Sequence, residues 1–269
     1  MRILEARDLS LRRGQRELIR GLNFHLQAGR ISVVLGPNGA GKSSLLLALS
    51  GMLDLAAGAV YLNAKPLAAY ARKDISDALA WQGDVPSAEF GITVDQRLQL
   101  AMSSGLHGDI DRGKRLAACA TQDLLPLRHR SLATLSSGER QRVELAALMV
   151  RDCPIWLLDE PCAHLDIRHQ VAWLNSMRDK ANGGMAMLAV LHDVQQAAAI
   201  ADDVILIYGD GRVRSGPAGE LLVPEILNDL LHTELQFICN GVADGILVPD
   251  YSATNSRSMN YRGMKTPNL

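Results

Sequence analysis

Eight consecutive residues, Gly36-Pro37-Asn38-Gly39-Ala40-Gly41-Lys42-Ser43, satisfy every constrained position of the phosphate-cradling pattern G-x-x-x-x-G-K-[ST]. Glycines at 36, 39 and 41 let the backbone approach phosphate oxygens. Lys42 can reach the β and γ oxygens, and the Ser43 hydroxyl can complete a magnesium shell. Ser44, next in the chain, is counted with this phosphate-binding set. The chemistry predicts ATP or a related triphosphate as ligand, with Mg2+ as its companion. The elements that must position these groups are legible too. Ile31-Ser32-Val33-Val34-Leu35 reads as a buried strand, and Lys42 to Leu49 as a helix whose free N–H groups face the loop.

A second constellation, Leu157-Leu158-Asp159-Glu160-Pro161, sets two carboxylates after an apolar strand, at the sheet edge from which the phosphate loop also emerges. Two acids there suit two tasks. Asp159 holds magnesium directly or through water, and Glu160 polarises a water for in-line attack on the γ-phosphate.

The 269 residues, 48% of them hydrophobic, suffice for one sizeable core, alone or with a subdomain. A net charge of -1 supplies no basic stripe, so a nucleic-acid partner is not expected. The start, Met1-Arg2-Ile3-Leu4-Glu5, lacks an apolar signal core, and no apolar run approaches the roughly 20 residues that span a bilayer. The chain is expected to stay in the cytosol, with Cys119, Cys153, Cys162 and Cys239 as reduced thiols. His164 and His169 are five apart, off the i,i+4 spacing of helical metal ligands, and read as a solvated pair.

Strand-like and helix-like segments alternate along the chain, the mark of a sheet flanked by helices. Short strands are expected at Val60 to Asn63 and Leu79 to Trp81, then at Ile155 to Leu158, Met187 to Leu191 and Val204 to Tyr208. Between about Asp95 and Val150 the pattern is helical throughout, which implies a helical insertion in an α/β core. Helices are expected again at Ile167 to Lys180 and Val194 to Ala201. Asp210-Gly211 signals a type I′ hairpin turn, and Ser252 to Leu269 reads as a loose tail.

With Leu135-Ser136-Ser137-Gly138-Glu139-Arg140-Gln141 standing before the Asp159-Glu160 strand, the chain resembles the ATP-binding cassette (ABC) ATPases over about residues 3 to 223. Gln82, Leu165-Asp166 and His192 match further motifs of that family in the expected order. The resemblance implies an α/β P-loop NTPase: a RecA-like core (1–83 and 154–223) with an antiparallel β subdomain, an inserted α-helical subdomain (84–153), and a C-terminal appendage (224–269). It implies a head-to-tail dimer in which Ser136, Ser137, Gly138 and Glu139 of one copy face the ATP held by the other.

In the same terms, His192 resembles the switch histidine at the γ-phosphate, Gln82 the residue that senses magnesium and water, and Asp166 the aspartate that communicates across the dimer. Ser137 replaces a usual glycine, at about 1–2 kcal/mol if the position needs left-handed backbone. Glu139 replaces glutamine, adding charge beside a phosphate. Arg13 stands where an aromatic adenine platform is common, and either stacks on the purine or is solvated. Val85 to Phe90 sits where family members receive a permease's coupling helix, though a plain surface loop would read the same.

More loosely, Leu165 to Gln170 and Val190 to Val194 resemble ATPase subunits of siderophore, haem or cobalamin importers. That implies two permease subunits, a binding protein on the far side, and a peripheral position at the cytoplasmic face of the inner membrane. The alternative is a binding-only or soluble regulatory cassette.

Overall fold

The computed structural model describes residues 2–83, 91–102, 108–151, 153–233, 235–238 and 246–249. The expectations for Val85 to Phe90, Cys239 and the 252–269 tail lie outside the described residues.

Two twelve-residue strands, β1 (Arg2–Arg13) and β2 (Arg16–Gln27), open the chain as an antiparallel hairpin. There follow β3 (Ile31–Leu35), α1 (Lys42–Leu49), β4 (Ala57–Leu62), β5 (Lys65–Pro66), α2 (Arg72–Ala78) and β6 (Leu79–Gln82). Three helices come next: α3 (Val94–Ala101), α4 (Gly108–Thr121) and α5 (Ser137–Met149). Alternation then resumes with β7 (Ile155–Asp159), α6 (Ile167–Asn182), β8 (Ala186–Val190), α7 (Val194–Ile200), β9 (Asp203–Ile207) and β10 (Val213–Pro217). Two short helices, α8 (Ala218–Leu221) and α9 (Pro224–Leu231), precede a hairpin of β11 (Leu235–Ile238) and β12 (Ile246–Pro249).

The central sheet has the order β10-β9-β3-β8-β7-β6, parallel except for β10. Its inner strands β3 and β8 are buried at every position, as a strand covered on both faces must be. Successive side chains alternate between two cores. Val33, Leu158, Ala189 and Leu206 face a core shared with α6 and α7, while Val34, Leu157, Leu188 and Ile205 face one shared with α1 and the four-stranded sheet β2-β1-β4-β5. The expected antiparallel sheet and helical insertion are therefore both present. The insertion has an apolar core of its own, with Val94, Leu98, Cys119, Leu124, Val143 and Ala146. Helix α5 belongs to two cores at once, since Leu145 and Leu148 pack toward the central sheet.

The β9–β10 hairpin forms, but not through a type I′ turn. Positive φ falls at Gly209 (84°) and Gly211 (92°) and not at Asp210, whose carboxylate instead accepts from the Arg212 N–H at 3.0 Å. An Asx turn shapes this loop.

Trp156 of β7 and Trp173 of α6 are fully buried with near-parallel rings, 6.0 Å between centroids. Trp173→Ala is expected to cost about 3–5 kcal/mol through lost burial and cavity formation, read as a lower urea midpoint at unchanged slope.

Candidate nucleotide-binding site

Four neighbouring parallel strands, β3, β8, β7 and β6, end at one level. Their registers pair Val34 with Val190, Val190 with Asp159, and Leu158 with Gln82. The chain leaves this carboxyl edge four times, and each exit carries chemistry: the 36–43 loop after β3, His192 after β8, Asp159 and Glu160 at the end of β7, and Gln82 closing β6. Crevices outside the carboxyl ends of such strands are where α/β sheets take ligands.

The phosphate loop is shaped by one close approach. A Cβ on Gly36 would lie 2.2 Å from the carbonyl oxygen of Ile207 at the end of β9, so no side chain fits there. Lys42 is 6% exposed, and its ammonium donates to the carbonyls of Gly36 at 2.9 Å and Pro37 at 3.0 Å. Burial pushes its pKa down, while the carboxylates of Glu160 and Asp159 oppose that shift. Helix α1 begins at Gly41 with no side-chain cap, leaving its first N–H groups for an anion. Ala40 is buried, whereas Asn38, Gly39 and Ser43 are exposed toward solvent and Pro37 and Ser44 are half-buried.

Glu160 has left-handed backbone (φ 51°), closed by the Ala163 N–H donating to its carbonyl at 3.0 Å. A non-glycine residue held there costs about 1–2 kcal/mol, a strain that gathers at functional positions. His192 Nε2 lies 2.6 Å from Glu160 Oε1, with both side chains nearly half exposed. Gln82 is buried; its amide donates to the Gly83 carbonyl at 2.7 Å, and its Oε1 is enclosed without a hydrogen-bond partner. Ser43, Gln82 and Asp159 each carry a side-chain oxygen, the ligand type a hard divalent cation takes.

The Ser136–Glu139 segment caps α5. Ser136 Oγ accepts from the Glu139 N–H at 3.2 Å; in return Glu139 Oε2 accepts from the Ser136 N–H at 2.7 Å and from its hydroxyl at 2.9 Å. The Ser136 N–H, then its hydroxyl, hold the Glu139 carboxyl below the usual range. Ser137 is the first helical residue, with ordinary negative φ, so the left-handed cost considered for it does not arise. Gly138 is required for a different reason: a Cβ there would meet the His164 carbonyl oxygen at 2.8 Å.

Asp166 caps α6. Its Oδ1 accepts from the His169 N–H at 2.9 Å and stands 2.8 Å from His169 Nδ1. These contacts, the backbone one first, hold its carboxyl below the usual range. The solvated reading of His169 is corrected: its Nε2 lies 3.6 Å from Asp123 of the insertion, which also pairs with Arg168. Of the two, only His164 is exposed. Arg13 is exposed beside the β1–β2 turn, while its neighbour Arg16 donates to the Gly209 carbonyl at 2.9 Å and ties that turn to the central sheet.

One residue of this region was not singled out from sequence. Gln141 is 2% exposed and donates to the Pro161 carbonyl at 2.9 Å. The available signal was its place on an otherwise apolar stripe with Leu145 and Leu148.

Fold and phosphate loop together define a P-loop nucleotide-binding protein. Residues 19–163 match the family described as ABC transporter. The chain is 33% identical over 244 residues to the hemin import ATP-binding protein HmuV of Shewanella denitrificans, covering 88% of this chain and 96% of that one. It is 31% identical to the iron(3+)-hydroxamate import ATP-binding protein FhuC of Bacillus subtilis, over 88% and 91% of the two chains. In fold it is similar to a metal-chelate type ABC transporter described in an inward-facing conformation, with TM-score 0.80, 24% identity, and 94% and 100% of the two chains covered. The chain belongs to the ABC transporter family and is an ATP-binding ATPase of that family.

Lys42→Ala is expected to weaken ATP binding about 10- to 100-fold, the equivalent of roughly 1.5–3 kcal/mol of charge-assisted bonding, in a direct titration. An unchanged affinity would remove the loop from the site.

Proposed function

We propose that this chain is the ATP-hydrolysing subunit of an importer for a metal chelate such as a siderophore, haem or cobalamin. The reading is supported most by one observation, the gathering of the phosphate loop, His192, the acid pair and Gln82 on four consecutive strand ends. The cargo class is suggested by relatives named for hemin and iron(3+)-hydroxamate import. Core segments 1–83 and 154–223, the helical subdomain 84–153 and the appendage 224–269 are proposed as its divisions.

In this reading residues 36–44 hold the phosphates of ATP, and Arg13 lies beside the base. Ser43, Gln82 and Asp159 would hold Mg2+, which would supply charge neutralisation at the phosphate oxygens. The enclosed, unpartnered Oε1 of Gln82 fits that duty, because a buried amide oxygen lacking a partner is costly unless a ligand serves it. Glu160 takes the proton from the attacking water. His192, already in contact with Glu160, orients that carboxylate and turns toward the γ-phosphate.

Two copies pair head to tail, so that Ser136, Ser137, Gly138 and Glu139 of each close over the other's nucleotide, with Asp166 at the seam. Two permease subunits sit above them, supplied by a substrate-binding protein, and the chain lies peripherally at the cytoplasmic face of the inner membrane. No helix among the described residues is long and apolar enough to cross a membrane. The cleft between β6 and helices α3 and α5 suits the permease's coupling helix, with Trp81 and the 67%-exposed Leu100 as apolar lining and the Arg97–Glu144 ion pair at its wall. A nucleic-acid partner is not part of this reading.

Glu160→Gln is expected to reduce ATP turnover about 100-fold or more while nucleotide affinity stays within about threefold, because the phosphate grip does not involve the base. Undiminished turnover would defeat the assigned role and favour a binding-only cassette. Glu139→Gln keeps the cap, since an amide oxygen can still accept from Ser136, but removes a negative charge facing the partner's ATP. A severalfold lower KM for ATP is expected in steady-state assays, shrinking as salt is raised; a higher KM would place Glu139 elsewhere.

A further inference from the structure

The strand carrying Glu160 is joined to α6 by a short connection whose support comes from outside. Pro161 has no N–H, so the peptide group directly after Glu160 is held only through the Glu160 carbonyl, which accepts from the Ala163 N–H at 3.0 Å. The carbonyl of the next peptide, that of Pro161, accepts from the side-chain amide of Gln141 at 2.9 Å, reaching across from α5. The carbonyls of Cys162 and Leu165 accept from Gln170 at 3.3 and 3.0 Å, and Gln170 in turn accepts from Gln196 of α7, the helix that follows His192. The His164 carbonyl abuts Gly138. Three glutamine side chains and one bare glycine thus hold the connection against three helices.

Gln141 is the member whose presence burial alone does not explain. Its place on α5 is 2% exposed and aligned with Leu145 and Leu148, where an apolar side chain would pack without the cost of desolvating an amide. What the amide supplies is a fixed position for Pro161, and through it for the preceding residue, whose left-handed backbone has few neighbouring conformations to relax into.

We propose that Gln141 is a positioning residue for ATP hydrolysis: its bond to the Pro161 carbonyl sets the Glu160 carboxylate from helix α5. The inference rests on the reading of Glu160 as the base. Helix α5 is capped by Ser136, at the end assigned to the partner copy's nucleotide. A single buried amide then links the half-site a chain keeps with the half-site it lends.

The test uses the full chain, with steady-state ATP turnover, affinity for a fluorescent ATP analogue, and thermal unfolding measured for Gln141→Met, Glu160→Gln and the double variant. Gln141→Met, similar in volume but without the donor, is expected to lower kcat about tenfold with affinity changed less than about twofold. In the Glu160→Gln background it is expected to lower the residual rate no further, since a positioning residue has nothing left to position. Wild-type kcat in Gln141→Met overturns the proposal, as does an equal fractional loss in both backgrounds. Should Gln141→Met fail to fold, Gln141→Asn, too short to reach Pro161, takes its place under the same criteria. Normal turnover in Glu160→Gln sinks the assignment of the base; loss there with wild-type kcat in Gln141→Met sinks only this inference.

Discussion

A nucleotide can be served by residues from four strands only if those strands stop together, and the parallel register of β3, β8, β7 and β6 imposes that. Parallel strands need long crossovers, so residues close in space arrive from positions 36, 82, 159 and 192 of the chain. The register in turn depends on two faces of apolar side chains that interlock with different cores, since a slip of one residue would exchange them. Site precision is thus inherited from packing well below the cleft.

At the edge itself the chain accepts locally unfavourable arrangements that only the surroundings can hold. Glu160 sits in left-handed backbone, Lys42 is taken out of water, and Gln82 keeps a carbonyl oxygen enclosed without a partner. Each departs from what folding alone would favour, and each lies at a strand end or on the loop after one. Lys42 shows how such costs are moderated. Its ammonium rests on two loop carbonyls, while the field of Asp159 and Glu160 counters the desolvation that lowers its pKa.

How much of this could be read from the residues follows the range of the interactions. The start of α1 at Lys42 was legible because a loop of fixed spacing announces it. The central strands were legible because both faces are covered, which leaves continuous apolar runs. The opening hairpin was harder to read by periodicity. Its buried residues Leu4, Ala6, Leu9 and Leu11 fall out of strict alternation where irregular pairing and the positive φ of Asp8 (48°) shift the register. His169 and Gln141 were out of reach for a different reason. Beyond the local contact of His169 with Asp166, the groups they meet, Asp123 and Pro161, are 46 and 20 residues away, and no local pattern encodes such a meeting.

Helix α5 draws these threads together. A helix that served the insertion alone would need one apolar stripe, but Val143 and Ala146 face the insertion's core while Leu145 and Leu148 face the central sheet. It is therefore clamped between two bodies, and any tilt must move both contacts. Its N-terminus is tied off by the Ser136–Glu139 box, so the end presented outward is rigid as well. Gly138 meets the connection beyond Glu160 without a side chain between, and Asp123, just beyond the preceding helix α4, pairs with Arg168 two residues past Asp166. With Gln141 on the Pro161 carbonyl as well, the insertion grips the connection between β7 and α6 near both of its ends. A rotation of the insertion would be felt at the acidic strand end through these direct contacts, with no need for a long chain of side-chain rearrangements.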